Sequence, residues 1–176
     1  GAGAQQALET LSERSPSHVN FSLRINCRNA EPIADTLAIT SGLTPGYKRV
    51  LHDIEGSEVD PLFYASVADQ EKHLANAICD LKEIFKPGEI MVLSMRNDDN
   101  SCAGNASSNS TGVRLAPIRQ VHDGQTIPFS SIHAFKGLEA PAVIITDIEN
   151  LSDEQSRALL YIGMSRARVR LFMLIH

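Results

Sequence analysis

An α/β fold, with a parallel sheet covered on both faces by helices, is what the sequence predicts, and three observations carry that expectation. Residues 142–146 (AVIIT) are a short run dominated by β-branched side chains, with polar residues soon after it, which is the composition of a buried strand. Residues 170–175 (RLFMLI) form a second apolar run. Between them Ser152 and Gln155 fit a capping box, Asp153 and Glu154 suit a helix N-terminus, and Ala158, Leu159 and Ile162 recur at helical spacing. A strand that is apolar almost throughout needs cover on both faces, and in practice such strands run parallel and are joined by helices.

The same unit is legible upstream. Val67, Leu74, Ile78, Leu81 and Phe85 step by 7, 4, 3 and 4 residues, one apolar helical stripe opposite Glu71, Lys72, Asp80 and Lys82. Glu71 and Asp80 therefore belong to a solvated face rather than to an acid/base pair. Lys86-Pro87-Gly88 stops the helix, residues 90–93 read as a buried strand and residues 62–65 as a short one before the helix. The spacing fits a right-handed crossover.

The remaining segments follow in order. Residues 5–13 suit a helical turn or two as a peripheral lead-in, ended by Ser15-Pro16. Residues 21–25 alternate apolar and polar and read as a strand. Asn29 is placed as an N-cap, with Pro32 in the first turn, Ile33 and Leu37 on the apolar face and Gly42 closing the helix. Residues 42–60 carry turn formers and acidic side chains, and residues 96–112 (RNDDNSCAGNASSNSTG) read as a polar loop. Residues 115–121 and 126–130 suit a strand pair about the turn dipeptide Asp123-Gly124.

Composition narrows the function classes. The chain has 176 residues, 43% of them hydrophobic, enough for one core, and a net charge of −5, which argues against a broad basic field for gripping nucleic acid. No run approaches the roughly 18 apolar residues of a membrane span. Cys27, Cys79 and Cys102 are odd in number and lack a CxxC pair, so neither a disulfide framework nor a zinc site is indicated and a cytoplasmic home is expected. Cys79, beside the helical stripe, is expected in the core, and His18, His52, His73 and His122 have no metal spacing. The opening Gly-Ala-Gly-Ala, without an initiator Met, is expected of an expression scar or an internal cut in a longer protein.

Polar groups gather at the ends of the last apolar runs: His133, Lys136, Gly137 and Glu139 before one, Ser165, Arg166 and Arg168 before the other. Parallel sheets bind ligands at strand ends, and these groups have anion-binding and sugar-binding chemistry. The stretch Ser131-Ile-His-Ala-Phe-Lys-Gly-Leu-Glu139 resembles motif V of superfamily 1 helicases of the UvrD/Rep type, and Leu159-Leu-Tyr-Ile-Gly-Met-Ser-Arg166-Ala-Arg resembles their motif VI. Asn26-Cys27-Arg28 resembles motif IV, in which an aromatic residue usually stands where Cys27 does. Three motifs in the right order make a specific signal.

The resemblance implies the C-terminal RecA-like domain, of P-loop NTPase type, of an ATP-dependent DNA helicase. Residues 1–19 are then a lead-in or scar, and 20–176 the domain itself. The loop at 96–112 stands where larger relatives carry an inserted domain. The resemblance gives Arg28 and Arg166 to the γ-phosphate of ATP, Glu139 to a ribose hydroxyl, Gly137 to a close backbone approach or simply a turn, and Ser131, His133 and Lys136 to single-stranded DNA. Stacking on the base from position 27 is lost with the aromatic ring. An arginine delivered to the γ-phosphoryl group from a neighbouring domain is worth roughly 10³–10⁵ in rate.

No GxxxxGK[ST] loop occurs, so the chain lacks its own Walker A cradle. ATP with Mg²⁺ is expected in a cleft shared with an N-terminal RecA-like domain of the same polypeptide. Asp147, closing the run Val143-Ile-Ile-Thr, imitates a Walker B carboxylate, but a structural turn is the favoured role. Two alternatives stand beside the motor domain: a non-catalytic RecA-like module binding protein or nucleic acid, and, more weakly for want of a phosphate loop, a stand-alone nucleotide-dependent enzyme.

Overall fold

The computed structural model describes residues 2–14, 24–41, 46–52, 54–106 and 114–176. In chain order the elements are α1 (Ala2–Arg14), β1 (Ile25–Ala30), α2 (Glu31–Ser41), β2 (Arg49–His52), β3 (Glu58–Phe63), α3 (Val67–Lys82), β4 (Ile90–Ser94), α4 (Cys102–Asn105), β5 (Leu115–Pro117), β6 (Ile127–Ser131), β7 (Ala140–Ile148), α5 (Glu154–Met164) and β8 (Ala167–Ile175). Six strands form one sheet in the order β3-β8-β7-β4-β6-β5, and every pair in it is parallel. The expected fold class is the observed one.

Side chains alternate between two cores across this sheet. Met91, Leu93, Val143, Ile145, Leu171 and Met173 meet Ile33 and Leu37 of α2 and Leu160 and Met164 of α5. Ile90, Val92, Ala142, Ile144, Phe172 and Leu174 meet Leu74, Ile78 and Leu81 of α3. All of these are buried, and burying an Ile or Leu contributes about 1.5–3 kcal/mol each. The central strand β4 is buried at every position, as expected for a strand covered on both faces. Helix α3 starts where Ser66 Oγ accepts the Asp69 N–H, and Leu74, Ile78 and Leu81 of its stripe are buried while Val67 stays exposed and Phe85, past the helix end, is half-buried.

Several boundaries differ from the sequence reading, each for a physical reason. The strand expected at 62–65 is Glu58–Phe63. Its acidic residues are compatible with an edge strand because Arg170 on β8 bonds both Glu58 and Asp60 at 2.7 Å. The acidic turn region holds β2, which pairs in parallel with β1 in a separate two-stranded sheet. Asn26 to Asn29, read as following a strand, lie within β1, and α2 begins at Glu31; of the strand expected at 21–25, residues 21–23 lie outside the described residues.

The pair about Asp123-Gly124 is not a hairpin: β5 and β6 run parallel, Leu115 opposite Ile127. Asp123 still makes its local turn, Oδ1 accepting the N–H groups of Gln125 and Thr126, but the turn sits inside a crossover. The cap of α5 is Asp153, whose side chain accepts the Ser156 N–H, whereas Ser152 donates its N–H to Asn150 Oδ1. The polar stretch after β4 contains a 3-10 turn at Asp98–Asn100 and the short α4. Cys102 in it is buried while Cys79 is exposed, the reverse of the expectation for Cys79, because position 79 falls just outside the buried Leu74, Ile78 and Leu81 stripe. Residues 107–113 lie outside the described residues.

Candidate functional site

Arg28 is presented by a side-chain-built turn within β1. Asn26 Oδ1 accepts the backbone N–H of Arg28 and of Asn29, both at 3.0 Å, the local bonding for which Asn is suited. The pairing of β1 with β2 shifts register between Asn26 and Ala30. Beneath it, His52 Nε2–H donates to Cys27 O at 2.7 Å.

Arg166 is presented by the end of α5. Ser165 Oγ donates to Ile162 O at 2.7 Å, occupying one of the carbonyls that a helix end leaves free. Arg166 lies in the turn that follows, with Nε donating to Ile162 O at 3.1 Å and Nη1 to Leu138 O at 3.3 Å. Burial, and then the positive charge of Arg28, hold its pKa below the ordinary arginine value, partly offset by Glu139 and Tyr161; the group stays a cation at neutral pH.

Arg28 and Arg166 line one pocket, with Asn26, Tyr47 and Tyr161 in its wall. A second pocket shares Cys27 and Arg28 and adds His52, Glu139 and Arg168. Glu139, just ahead of β7, faces Arg28 Nε at 3.2 Å and Arg168 Nε at 3.8 Å. Both pairs are about half exposed, so each contributes at most about 1 kcal/mol and yields readily to a stronger anion. Two guanidinium groups, those of Arg28 and Arg168, thus share one carboxylate, whose charge Arg166 also feels. Arg28 does not arise from the main sheet; it comes from the β1–β2 pair and shares its pocket with Arg166, which immediately precedes β8.

This cluster sits at the amino ends of β7 and β8, whereas open α/β sheets usually bind ligands at their carboxyl ends. Gly137, in the turn leading there, has φ +89 with nothing within 4 Å of where a Cβ would stand. Its glycine meets a backbone requirement and leaves open space beside it.

Ser131, His133 and Lys136 belong to the opposite edge or the segment leaving it. Ser131 ends β6 beside Ser94 of β4, donates its N–H to Asp98 Oδ1 at 2.6 Å and accepts the Ala134 N–H on Oγ at 3.4 Å. His133 and Lys136 are exposed. His133 lines a groove with Ser156 and Leu159 of α5 and another with Arg96, Asn97 and Asn100. Residues 132–139 therefore run from the carboxyl edge to the amino edge, anchored by buried Ile132 and Phe135.

Asp147 has a structural occupation. It is buried, has φ 63, and accepts from Ser94 Oγ at 2.6 Å, Thr146 Oγ1 at 2.8 Å and the Cys102 N–H at about 3.2 Å. Among the described residues no group of three or more His, Cys, Asp or Glu side chains is arranged to hold a metal ion, and no helix is long and apolar enough to cross a membrane.

Sequence reasoning missed Tyr47, Tyr161 and the Asn26–Asn29 pair. Tyr47 and Tyr161 place their hydroxyls 3.5 Å apart in the arginine pocket. Burial, then the bond to Tyr161, pushes the Tyr47 pKa up to about 12. Tyr47 fell in a stretch rich in turn formers, with no periodicity to point it inward. The three-residue separation of Asn26 and Asn29 was the available signal for the other pair.

Comparison with known proteins bears on these same elements. Residues 127–174 match the family model of the UvrD-like helicase C-terminal domain, a stretch running from β6 into β8 that includes Ser131, His133, Lys136, Gly137, Glu139 and Arg166. No curated protein matches the chain. Among solved structures, the C-terminal domain of a possible DNA helicase from Lactobacillus plantarum WCFS1 is similar over 85% of this chain and 86% of that one, with a TM-score of 0.63 and 15% identity. At that identity the likeness is one of fold. The resemblance carried by the two motifs within 131–168 is therefore borne out by the UvrD-like helicase C-terminal family model over 127–174, and the solved structure bears out the fold; Asn26-Cys27-Arg28 lies outside the matched residues.

Proposed function

We infer that this chain is the second motor domain of an ATP-dependent DNA helicase or translocase, with ATP and Mg²⁺ held between it and an N-terminal RecA-like domain of the same polypeptide. The observation that carries the reading is the cation excess at the amino edge: Arg28 and Arg166 line one pocket, and among the described residues Glu139 is the one carboxylate paired with Arg28 and with the neighbouring Arg168. That donor set fits a polyphosphate brought from outside. It offers no carboxylate cluster for Mg²⁺ and no phosphate loop, so the metal and the phosphate cradle fall to the partner domain.

In this reading ATP supplies the phosphoanhydride bond, and the chain's own arginines stabilise charge developing on the γ-phosphoryl oxygens. Arg28 leaves Glu139 as the cleft closes, which frees the carboxylate for a ribose hydroxyl. Ser131, His133 and Lys136 bear on a single DNA strand at the other edge, and closing and opening of the cleft moves the strand. Residues 20–176 form the domain, with 96–112 in place of the larger relatives' insertion, and the protein works in the cytoplasm.

The chain joined to an N-terminal domain with a Walker A loop is expected to hydrolyse ATP with stimulation by single-stranded DNA. Arg166→Ala is expected to lower turnover by at least about 10³-fold. Unchanged turnover in that variant would overturn the motor reading in favour of a non-catalytic binding module.

A further inference from the structure

Two buried asparagines connect the arginines. Asn29 is 3% exposed and Asn26 is 6% exposed. Asn29 Nδ2 donates to Ala167 O at 2.6 Å and to Ser165 O at 3.3 Å, the two carbonyls flanking Arg166. Its Oδ1 accepts from Asn26 Nδ2 at 3.0 Å. Asn26 Oδ1 in turn accepts the Arg28 and Asn29 backbone N–H groups. The intervening carbonyl, Arg166 O, accepts the Ala140 N–H at 3.0 Å. A path of buried and half-buried hydrogen bonds, linked through the backbone of residues 165–167, thus joins the backbone carrying Arg28, the turn carrying Arg166 and the start of β7 next to Glu139.

We propose that Asn29 is a positioning residue that locks Arg28 and Arg166 into one unit, so that the two guanidinium groups address the same anion at a set separation. The proposal rests on the phosphate-binding reading of these arginines. Its physical ground is the way β1 is attached. Since β1 pairs with β2 and not with the main sheet, strand hydrogen bonds do not set its distance from β8. The Asn29 amide supplies two donors to β8's entry and one acceptor to Asn26, a combination that no aliphatic or carboxylate side chain reproduces. Leaving those buried groups unpaired also removes the restraint on both arginine-bearing segments.

Two measurements test it. In this chain, Asn29→Ala and the milder Asn29→Ser, which keeps one donor, are compared by NMR of the arginine Nε–H groups below the unfolding temperature. Asn29→Ala is expected to speed exchange of the Arg166 Nε–H by about tenfold or more and to shift the Arg28 signal, while amides of β4 and β7 keep their protection. Asn29→Ser is expected to fall between. Arginine signals unchanged in the folded variants overturn the proposal.

In the protein joined to its ATP-binding domain, Asn29→Ala is expected to lower kcat by about 10–100-fold with little change in KM. In an Arg166→Ala background it is expected to cost less than about twofold more. Full additivity in the double variant overturns the positioning role. If Arg28→Ala and Arg166→Ala themselves leave turnover intact, the phosphate reading fails, while the NMR coupling is judged separately.

Discussion

The two edges of the sheet use charge in opposite ways. At the carboxyl edge, the Asp98 and Asp147 carboxylates turn inward, accepting from Ser131, Ser94, Thr146 and Cys102, and they strap the segment after β4 onto the sheet. At the amino edge, Arg28 and Arg168 are about half exposed and share Glu139, while amide side chains fix the backbone beneath Arg28 and Arg166. Charges already satisfied by their own chain build architecture, and charges left in excess at a rim are available to a ligand. The contrast separates residues whose loss should unfold the domain from residues whose loss should silence it.

The largest expected effect breaks this contrast on the amino side. Arg166→Ala in the two-domain protein should reduce turnover by about 10³-fold or more with a thermal midpoint close to that of the parent, measured by calorimetry. In parallel, His133→Ala and Lys136→Ala should weaken single-stranded DNA binding and its salt dependence while sparing unstimulated hydrolysis. A matching loss of unstimulated turnover in those two variants would erase the distinction between the edges.

Asp147→Ala probes the opposite edge. It leaves the Ser94 and Thr146 hydroxyls and the Cys102 N–H without their shared acceptor and should cost about 2–4 kcal/mol in denaturant unfolding. Full stability in Asp147→Ala would show that the carboxylate is not needed to hold the strap. Between the edges, Gly163 in α5 lies so close to the connecting segment that a Cβ would meet Ile132 Cδ1 at 2.8 Å and Ile145 Cδ1 at 3.2 Å. Gly163→Ala should therefore cost about 1–3 kcal/mol through overpacking, despite alanine's better helix propensity.

The smallest effect concerns pH. The Asp153 carboxyl is held below its ordinary value of 3.8 by the hydrogen bonds of Ser156, side chain first and then backbone. A depressed acid contributes stability above its unfolded pKa and loses it as pH falls through the lower folded value. The thermal midpoint should drop slightly more steeply below pH 3.8 in the parent than in Asp153→Asn, which does not titrate.

Much of this architecture was legible because burial on both faces leaves a compositional mark. β4, β7 and β8 carry apolar runs that only a covered parallel sheet explains, and α3 and α5 carry stripes of matching period. Asp153 rather than Ser152 caps α5 because capping depends on where the chain turns, and either residue has a suitable oxygen. β2 was missed because a four-residue strand, RVLH, whose partner is another short strand, has little burial to advertise it. The parallel pairing of β5 and β6 was hidden for a related reason: Asp123-Gly124 does form a turn, and a local turn is silent on strand direction. At the site, the motifs named Arg28, Glu139 and Arg166, and the structure groups them. The Arg28–Glu139 ion pair and the Asn29 clamp join residues over a hundred positions apart, and no local pattern encodes such a pairing.

The edge strand β3 has one more consequence. Along its free side it carries Pro61, which has no N–H to offer, between acidic Glu58 and Asp60 on one hand and exposed Phe63 on the other. A second molecule approaching that margin meets negative charge and a missing donor before it can extend the ladder. Edge-to-edge pairing of two copies of the domain is therefore disfavoured along β3, one of the two edge strands of the sheet.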